Sequence, residues 1–411
     1  MKILIVLPDR EVGGGQVVAL NLAKALSKRH LVKVMIACPE KSDQQSPKIP
    51  EGVEEIENLP GYLSHYFPRL AWLFIVVLDF ILPPWRWSKE SGIIINFLNN
   101  RYQRTRRKHF LSVVGDGDFD IINSHVWRSD YFIGECIPES WKTPWVITMH
   151  GCYESLVADM SRHPYYASQI RKVLERADQV LFIADKNLEV LTKLPGLRLA
   201  KHPVKVMNGV CSASESGDGL DPAISRGTAD MLLVLVSRAI PEKGWEQAIE
   251  AVMELNEDSE KRVKLILVGG GEYQSLLVQK YQNPFIVFAG YVAQPQNVIR
   301  HCDVGLLPSY FVSESVPISV IECLSAGKPV IATDLGEIPE MINHEGQLAG
   351  QLLKLNESGK VSVADLKAAI QRYIESPDLL KTHQAVALKA ARKFSMEENV
   401  EMYENIYRSC F

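Results

Sequence analysis

The sequence lacks the features that mark disulfide-rich, zinc-binding and membrane-spanning proteins. Its seven cysteines occur singly, with no Cys-x-x-Cys pair, a pattern typical of reduced thiols in the cytoplasm. No apolar run reaches the roughly 20 residues that a spanning helix needs. The first residues form a short apolar run that ends at Asp9 and Arg10, whereas a secretory leader would be longer and would lack these charges. We therefore expect a cytoplasmic protein whose first residues form a strand.

Charge is distributed unevenly along the 411 residues. Residues 1–208 hold 27 Lys and Arg against 22 Asp and Glu, whereas residues 209–411 hold 18 against 27. Apolar residues make up 46% of the chain and charged residues 23%, which are proportions of a folded globular protein. A chain of this length is expected to form two domains. The basic first half is the better candidate for contact with an anionic partner.

Short apolar runs alternate with amphipathic stretches in both halves. The runs are Ile3–Leu7, Val32–Cys38, Asp120–Ser124, Trp145–Met149 and Gln179–Ala184, then Met231–Val236, Val263–Val268, Phe285–Phe288, Asp303–Leu307 and Pro329–Thr333. Continuous runs are typical of parallel strands buried on both faces. Cys211–Asp230, rich in Ser, Gly and Asp, is typical of a linker. We predict an α/β fold of two doubly wound, Rossmann-like domains, with ligands in an interdomain cleft at the carboxyl ends of the strands.

A glycine run, Gly13–Gly15, follows the first apolar run. Glycine lets backbone amides approach a ligand closely, and the following helix presents its positively polarised N terminus. The spacing is not G-x-G-x-x-G and no acidic residue ends the second strand, so the dinucleotide-binding fingerprint is absent. The run is consistent with a ligand contact and also with a simple tight turn.

Two cations follow the first apolar run of the second half. Arg238 and Lys243 are five residues apart, a spacing that can bracket a diphosphate and stabilise the charge on a departing nucleotide. A solvated loop is the alternative interpretation. Gly269–Gly271 follows the next run and by itself indicates a turn.

Glu314 and Glu322 flank a predicted junction between a loop and a helix. A buried carboxylate on that helix can accept hydrogen bonds from a ribose diol, and the amides before it can bind phosphate or sugar oxygens. The same spacing would suit a capped surface helix with two solvated acids. The upstream cations favour the binding site.

These motifs keep a fixed order that resembles a known family. The order is Arg238/Lys243-Gly244, Gly269–Gly271, Glu314-x7-Glu322, 326–332 and 336–340. It resembles the retaining GT-B glycosyltransferases of family 4, the glycosyl transferases group 1. The resemblance is close over 231–345 and looser before it, through the glycine run, His150-Gly151 and 208–210. It implies a GT-B fold with an acceptor-binding domain (1–208), onto which the last helix (395–411) crosses back, and a nucleotide-sugar-binding domain (209–394).

The resemblance implies a hexosyltransferase that moves a sugar, with retention, from a nucleotide sugar to an acceptor. The acceptor we expect is a saccharide or lipid-linked saccharide in cell-surface polysaccharide assembly, because the apolar and basic segment at 62–109 would suit a lipid-linked acceptor at a membrane. The catalytic residues it implies are His150, Glu314, Arg238 and Lys243. The donor-binding residues it implies are Gly14, Gly15, Arg238, Lys243, Gly270, Pro317, Ile318 and Glu322. In this assignment the two cations hold the diphosphate, Glu322 binds the ribose, and Glu314 and His150 lie by the transferred sugar. Ser315 stands where the family usually has Gly and Cys211 where an acid is common, which leaves the donor sugar open.

The resemblance also implies that transfer needs no metal and no cofactor besides the nucleotide sugar. The Asp116-x-Asp118 sequence lies far from the motifs of the second half. Positive charge from Arg238, Lys243 and helix N termini would instead neutralise the phosphates.

Two other functions fit the same motifs. A sugar-nucleotide epimerase of GT-B fold has two Rossmann-like halves but needs no acceptor, so product analysis with donor alone separates it from a transferase. A binding protein would hold the nucleotide sugar without transferring it. The presence of Lys243, Glu314 and Glu322 favours transfer.

Residues 62–109 combine an apolar stretch, tryptophans and a basic cluster. Leu70–Leu82 carries one charge and is followed by Trp85 and Trp87. The basic cluster that follows consists of Arg101, Arg104, Arg106, Arg107 and Lys108. The combination predicts peripheral contact with the anionic inner face of a membrane, and a buried helix beside a solvated basic segment explains it equally well. The cluster has no nucleic-acid-binding motif, so no nucleic-acid partner is expected.

Overall fold

A computed structural model describes residues 1–9, 13–37, 48–56, 104–151, 153, 164–194, 196–210 and 224–411. The chain divides into two compact units. The first comprises Met1–Ile183, Asn187–Val206 and Val400–Phe411, and the second comprises Ala184–Lys186 and Met207–Asn399. Three predicted features lie wholly or partly outside the described residues: the apolar stretch 70–87, Arg101, and the part of the predicted linker up to residue 223.

The first unit is built on a seven-stranded parallel sheet in the order β3-β2-β1-β4-β5-β6-β7. Its strands are β1 (Lys2–Leu7), β2 (Leu31–Ile36), β3 (Glu54–Ile56), β4 (Ile121–His125), β5 (Trp145–Met149), β6 (Gln179–Phe182) and β7 (Val204–Lys205). The helices described between them are α1 (Gly14–Leu26), α2 (104–113), α3 (Trp127–Cys136), α4 (Pro164–Arg176) and α5 (Asp185–Thr192). β4 and β5 are buried along their whole length, as continuous apolar runs predict for a covered sheet.

The second unit is built on a six-stranded parallel sheet in the order β10-β9-β8-β11-β12-β15. Its strands are β8 (Met231–Val236), β9 (Val263–Val268), β10 (Ile286–Gly290), β11 (Val304–Leu307), β12 (Val330–Thr333) and β15 (Gly350–Leu353), with a hairpin of β13 (Asn343–His344) and β14 (Gln347–Leu348). Its helices are α6 (Trp245–Asp258), α7 (Glu272–Lys280), α8 (Pro295–His301), α9 (Ile318–Ser325), α10 (Ile338–Ile342), α11 (Val363–Glu375) and α12 (Pro377–Ala390). The last helix, α13 (Met396–Arg408), follows a short 3₁₀ turn, Ala391–Phe394.

Both sheets reverse their strand order beside their first strand. β1 lies between β2 and β4, and β8 lies between β9 and β11. Ligands of open α/β sheets bind outside the carboxyl ends of the strands at such a reversal. The prediction of two doubly wound, Rossmann-like sheets is confirmed, and each sheet has one edge at which a ligand site is expected.

The end of the chain belongs to the first unit. In α13 the hydroxyl of Tyr407 donates a hydrogen bond to Oδ1 of Asn123 in β4, at 2.8 Å. Both Tyr403 and Tyr407 are fully buried. The final turns of α13 are therefore part of the core of the first unit.

One member of the predicted basic cluster is not at the surface. Arg106 is buried: its Nη2 donates to the carbonyl of Ala37 at 2.9 Å, and its guanidinium carbon lies 4.5 Å from the ring centroid of Phe132. Arg106 precedes the buried Phe110 by four residues, so both side chains share the inner face of α2. The prediction of a membrane contact for Arg106 is wrong, whereas Arg104, Arg107 and Lys108 are exposed.

Within the described residues, no helix combines the length and apolar character required to cross a membrane.

Candidate functional site

The loop after β8 carries the two predicted cations. Arg238 is exposed, and Lys243 ends a 3₁₀ turn, Pro241–Lys243. The next residue, Gly244, has φ +72°, and a Cβ there would lie 2.1 Å from the carbonyl oxygen of Pro308. No side chain fits at 244, because the loops after β8 and β11 touch backbone to backbone at this point. This contact fixes Lys243 against the loop after β11.

The side chain of Phe311 brings the two cations to one place. The Nζ of Lys243 lies 5.0 Å from the centroid of its ring, and the Cζ of Arg238 lies 6.0 Å from the same centroid. Both distances are within the range of cation–π attraction. The sequence interpretation missed Phe311, although an aromatic residue four positions after the end of β11 was a visible signal.

Lys243 also forms an ion pair with Glu314. Its Nζ lies 2.6 Å from Oε2, and the two side chains are only 11% and 7% exposed. A charged pair so shielded from water interacts more strongly than a surface pair. The structure thus joins Arg238, Lys243 and Glu314 around Phe311 at the carboxyl edge of the second sheet.

The predicted glycine loop after β9 supports the cation loop. Gly269 has φ +140° and a Cβ there would approach the carbonyl oxygen of Ser237 to 1.9 Å. The carbonyl of Gly270 accepts a hydrogen bond from the amide of Ala239 at 3.0 Å. Gly269 therefore packs against Ser237, and Gly270, which was predicted to bind the donor, holds Ala239, so the two glycines support the backbone on either side of Arg238.

The second predicted carboxylate lies within α9. Pro317 is the residue before the helix and Ile318 is its first residue, so the first turn begins at the predicted junction. Glu322 is buried, and the Nε2 of Gln296, at the start of α8, donates to its Oε1 at 2.5 Å. Burial raises the pKa of Glu322 to about 8, and the hydrogen bond from Gln296 opposes that rise. The sequence interpretation did not include Gln296, because side chains on separate helices have no fixed spacing.

The backbone around Glu314 is held from one side by the loop after β12. Gly336 has φ +55°, a Cβ there would lie 2.5 Å from the carbonyl of Glu314, and the amide of Glu337 donates to the carbonyl of Ser315 at 3.0 Å. Among described non-glycine residues only Val126 and Glu345 have positive φ. Ser315 therefore takes the place of the family's usual glycine without entering the left-handed region.

The first unit places the glycine run beside His150. Helix α1 begins at Gly14, which is exposed. A Cβ on Gly15 would lie 2.8 Å from Cγ2 of Val126 and 3.3 Å from Cβ and Cγ of His150. His150 follows β5 directly, so it lies at the carboxyl edge of the first sheet, against the first turn of α1. The lack of a side chain at Gly15 is what permits this approach.

A second histidine, which the sequence interpretation did not include, contacts His150. His125 is the last residue of β4, and its Nδ1 lies 2.9 Å from Nε2 of His150. The ring centroids are 5.2 Å apart with an interplanar angle of 28°. Burial lowers the pKa of His150 to about 4 and that of His125 well below its usual range. Both rings are therefore neutral at neutral pH.

No group of three or more His, Cys, Asp or Glu side chains that could hold a metal ion occurs in the part of the chain that the structure describes.

Two sequence models of protein families match the chain. The model of Glycosyltransferase Family 4 matches residues 12–207, and the model of Glycosyl transferases group 1 matches residues 230–376. The two matches fall one on each half of the chain.

Individual relatives of the chain are named as glycosyltransferases. The putative teichuronic acid biosynthesis glycosyltransferase TuaC of Bacillus subtilis is 29% identical over 236 residues, which span 56% of this chain and 57% of TuaC. A D-inositol 3-phosphate glycosyltransferase of Corynebacterium jeikeium is 24% identical over 313 residues, 70% of this chain and 72% of the relative. The alignment with TuaC thus spans less than two thirds of that protein.

Solved structures share the architecture over the whole chain. HepE from Anabaena, in complex with UDP and glucose, superposes with a TM-score of 0.66 at 18% identity, and the match covers both chains fully. The lipopolysaccharide outer core galactosyltransferase WaaB superposes with a TM-score of 0.63 at 15% identity, again over both full chains. At such identities the likeness shows the fold, and the predicted GT-B fold is confirmed.

Proposed function

Since the chain belongs to the family 4, group 1 glycosyltransferases of GT-B fold, we propose that it transfers a hexosyl group, with retention, from a nucleoside diphosphate sugar. The observation that carries this proposal is the group of Arg238, Lys243 and Glu314 at the carboxyl edge of the second sheet. It combines two cations for a diphosphate with one carboxylate for a sugar. The acceptor we propose is a saccharide or lipid-linked saccharide of a cell-surface polysaccharide, in keeping with what TuaC is named for.

The two cations would carry the leaving-group chemistry. Charge develops on the diphosphate as the bond from the sugar to the phosphate breaks, and fixed positive groups stabilise that charge. Arg238 is exposed and can reach a ligand. Lys243 is held in place by Glu314 and Phe311, so it needs little reorganisation when the nucleotide binds. We propose that these two residues replace a metal ion.

Glu322 would bind the ribose. Gln296 occupies Oε1, and a carboxylate has further lone pairs that can accept hydrogen bonds from ribose hydroxyls. The amides that open α9 at Ile318 lack partners within the helix, as at every helix start, and suit phosphate or sugar oxygens. Gly14, at the start of α1, offers the same kind of site in the first unit.

His150 and Glu314 would contact the transferred sugar. Because burial keeps His150 neutral, it would act through hydrogen bonding to a hydroxyl and not as a cation. Glu314 remains paired with Lys243. This pair links the position of the carboxylate that would contact the sugar to the position of the cation that would contact the diphosphate.

A panel of nucleotide sugars tests the proposed function, with EDTA in every sample. Uridine nucleotides come first, because HepE was solved with UDP-glucose. We expect one nucleotide sugar to raise the melting temperature, since a ligand that binds only the folded state stabilises it by about 2.7 kcal/mol at 100 times its Kd. We also expect transfer to continue in EDTA. Activity lost in EDTA and restored by Mg²⁺ or Mn²⁺ would contradict the metal-independent mechanism, and no response to any nucleotide sugar would contradict the function.

We propose further that Arg104, Arg107 and Lys108 draw the protein to an anionic membrane. Each basic residue near such a surface contributes about 1 kcal/mol. Replacing all three by Ser should therefore weaken binding to anionic vesicles by on the order of a hundredfold, measured by co-sedimentation at low salt.

The matched control for vesicle binding replaces three exposed lysines of the second unit, Lys354, Lys381 and Lys389, by Ser. This control should bind like the parent protein. Equal binding to neutral and anionic vesicles, or equal loss in both triple variants, would rule out the proposed surface.

A further inference from the structure

His125 has no side-chain partner in the described part of the chain other than His150. Its Nδ1 meets Nε2 of His150, and its buried Nε2 has no hydrogen-bond partner among the described residues. The ring centroids are 5.2 Å apart at an interplanar angle of 28°, so the two rings meet edge to edge through these nitrogens. Among the described residues, the position of the proton on His125 is therefore coupled to that on His150 alone.

The backbone fixes His125 in this position. His125 is paired with Thr148 in the register of β4 and β5, and His150 follows two residues after Thr148. The next residue, Val126, has φ +74°, a conformation that costs free energy for a β-branched side chain. The hydroxyl of Ser129 donates to the carbonyls of both His125 and Val126. A strained turn held by side-chain hydrogen bonds at the end of a central strand leaves His125 little freedom to move.

The position of the single shared proton follows from burial. Both rings are neutral, because desolvation lowers the pKa of each, so each ring carries one N–H. If His150 donated its Nε2–H, the proton of His125 would be on Nε2, where a buried N–H would have no acceptor among the described residues. Buried N–H groups without an acceptor are the rarer defect in proteins. The other arrangement leaves only a bare ring nitrogen there, with Nδ1–H of His125 donating to Nε2 of His150.

We propose that His125 is a positioning residue, which holds His150 in the tautomer protonated on Nδ1. His150 then has one remaining hydrogen-bonding group, the Nδ1–H donor. Helix α1 approaches His150 closely at Gly15, where a Cβ would lie 3.3 Å from the Cβ and Cγ of His150. This approach limits the movement of the His150 side chain on its other side. His150 therefore offers the transferred sugar a donor and no acceptor. The tautomer of His150 is independent of the proposed function, whereas the role of His150 toward the sugar rests on the proposed function.

Selective ¹⁵N-histidine labelling and NMR of the ligand-free full chain test the tautomer directly. The chain has 10 histidines, and the His150→Ala spectrum identifies the resonances of His150. We expect Nδ1 of His150 to be protonated and Nε2 bare in the parent protein. In His125→Asn, whose amide N–H can take the place of Nδ1–H, the same pattern should persist. In His125→Leu the Nε2-protonated form should appear. A parent protein with His150 protonated on Nε2 would overturn the proposal.

Kinetics test the consequence for the sugar. His125→Leu should lower kcat roughly tenfold, the loss of one well-placed hydrogen bond, with the Kd for UDP unchanged because that ligand lacks the sugar. His125→Asn should retain most of the parent kcat. In the His150→Ala background, His125→Leu should have no further effect on kcat. An equal loss in that background would mean that His125 acts on the fold generally and not through His150. If no transfer is detected with any donor, the proposed function fails, and the NMR result still decides the tautomer.

Discussion

Arg238→Ala and Lys243→Ala are each expected to lower the rate of transfer at saturating donor by on the order of a hundredfold or more, comparable to the loss of one oxyanion-hole donor. The physical reason is that, in the mechanism we propose, each cation faces the charge that grows on the leaving diphosphate. A cation that binds donor and transition state equally would change KM instead of kcat. The measurement is kcat with donor held well above KM.

The two variants differ in their structural consequences. Arg238 is exposed, so its removal should leave the melting temperature unchanged. Lys243→Ala leaves the carboxylate of Glu314, 7% exposed, without its ion-pair partner. Removing one partner of a fully buried pair costs about 3–5 kcal/mol, and the residual exposure of this pair reduces that cost. Arg238→Ala thus separates catalysis from stability.

Lys280→Ala is the matched control for the two cation variants. Lys280 lies in the same unit and forms an ion pair with Glu246 at 2.6 Å, but its side chain is 57% exposed. Lys280 is the last residue of α7 and does not lie in a loop at the carboxyl ends of the strands. Transfer should therefore continue at the parent rate. If Arg238→Ala and Lys243→Ala also retain parent rates, the diphosphate assignment is wrong.

Glu322→Gln is expected to weaken binding of the free nucleoside diphosphate by on the order of tenfold to a hundredfold. An amide offers one acceptor where the carboxylate offers two, and hydrogen bonds to a charged group contribute about 1.5–3 kcal/mol. Glu314→Gln is the contrast, since Glu314 is assigned to the sugar: the nucleotide should still bind while kcat falls. Isothermal calorimetry with the nucleotide alone distinguishes the two residues. Unchanged affinity in Glu322→Gln would contradict the ribose assignment.

The raised pKa of Glu322 gives the same variant a second signature. With a pKa of about 8 in the unliganded protein, the carboxyl is mostly protonated at neutral pH, and the ribose hydroxyls favour the ionised form as their acceptor. Nucleotide affinity should therefore rise with pH up to about 8 and level off above it, and binding at pH 7 should release a proton. Calorimetry in buffers of different ionisation enthalpy measures that proton. Glu322→Gln should bind nucleotide without this release.

Stability provides a check that Glu322→Gln is folded. A carboxyl whose pKa is raised from 4.5 to about 8 by folding binds more protons in the folded state, so its contribution to stability falls as pH rises between these values. Gln cannot ionise and avoids that loss. We therefore expect a melting temperature at pH 8 at least equal to that of the parent protein.

Much of the fold could be predicted from the sequence because the hydrophobic pattern of buried parallel strands is local. The predicted runs Met231–Val236, Val263–Val268 and Trp145–Met149 coincide with β8, β9 and β5. Other boundaries shifted by one or two residues: the prediction ended at Ser124, whereas β4 continues to the polar His125. That one-residue difference concealed the partner of His150.

Charge was interpreted less well than hydrophobicity. Arg106 belonged to a basic run, yet its guanidinium is buried against Phe132 and the Ala37 carbonyl. A long side chain on the inner face of a helix can be buried when its head group finds a carbonyl and an aromatic face. The sequence shows that an arginine is four residues before a buried phenylalanine, but the acceptor comes from another part of the chain.

The sequence by itself determined the two Rossmann-like sheets, the order of the motifs and the chemical types placed after each strand, because strand burial and loop composition are properties of neighbouring residues. Only the tertiary structure decided which side chains meet. Phe311 joins Arg238 to Lys243, Gln296 contacts Glu322, and His125 contacts His150. Each of these contacts joins residues from different elements, and their distances depend on how strands and helices pack, which no spacing along the chain encodes.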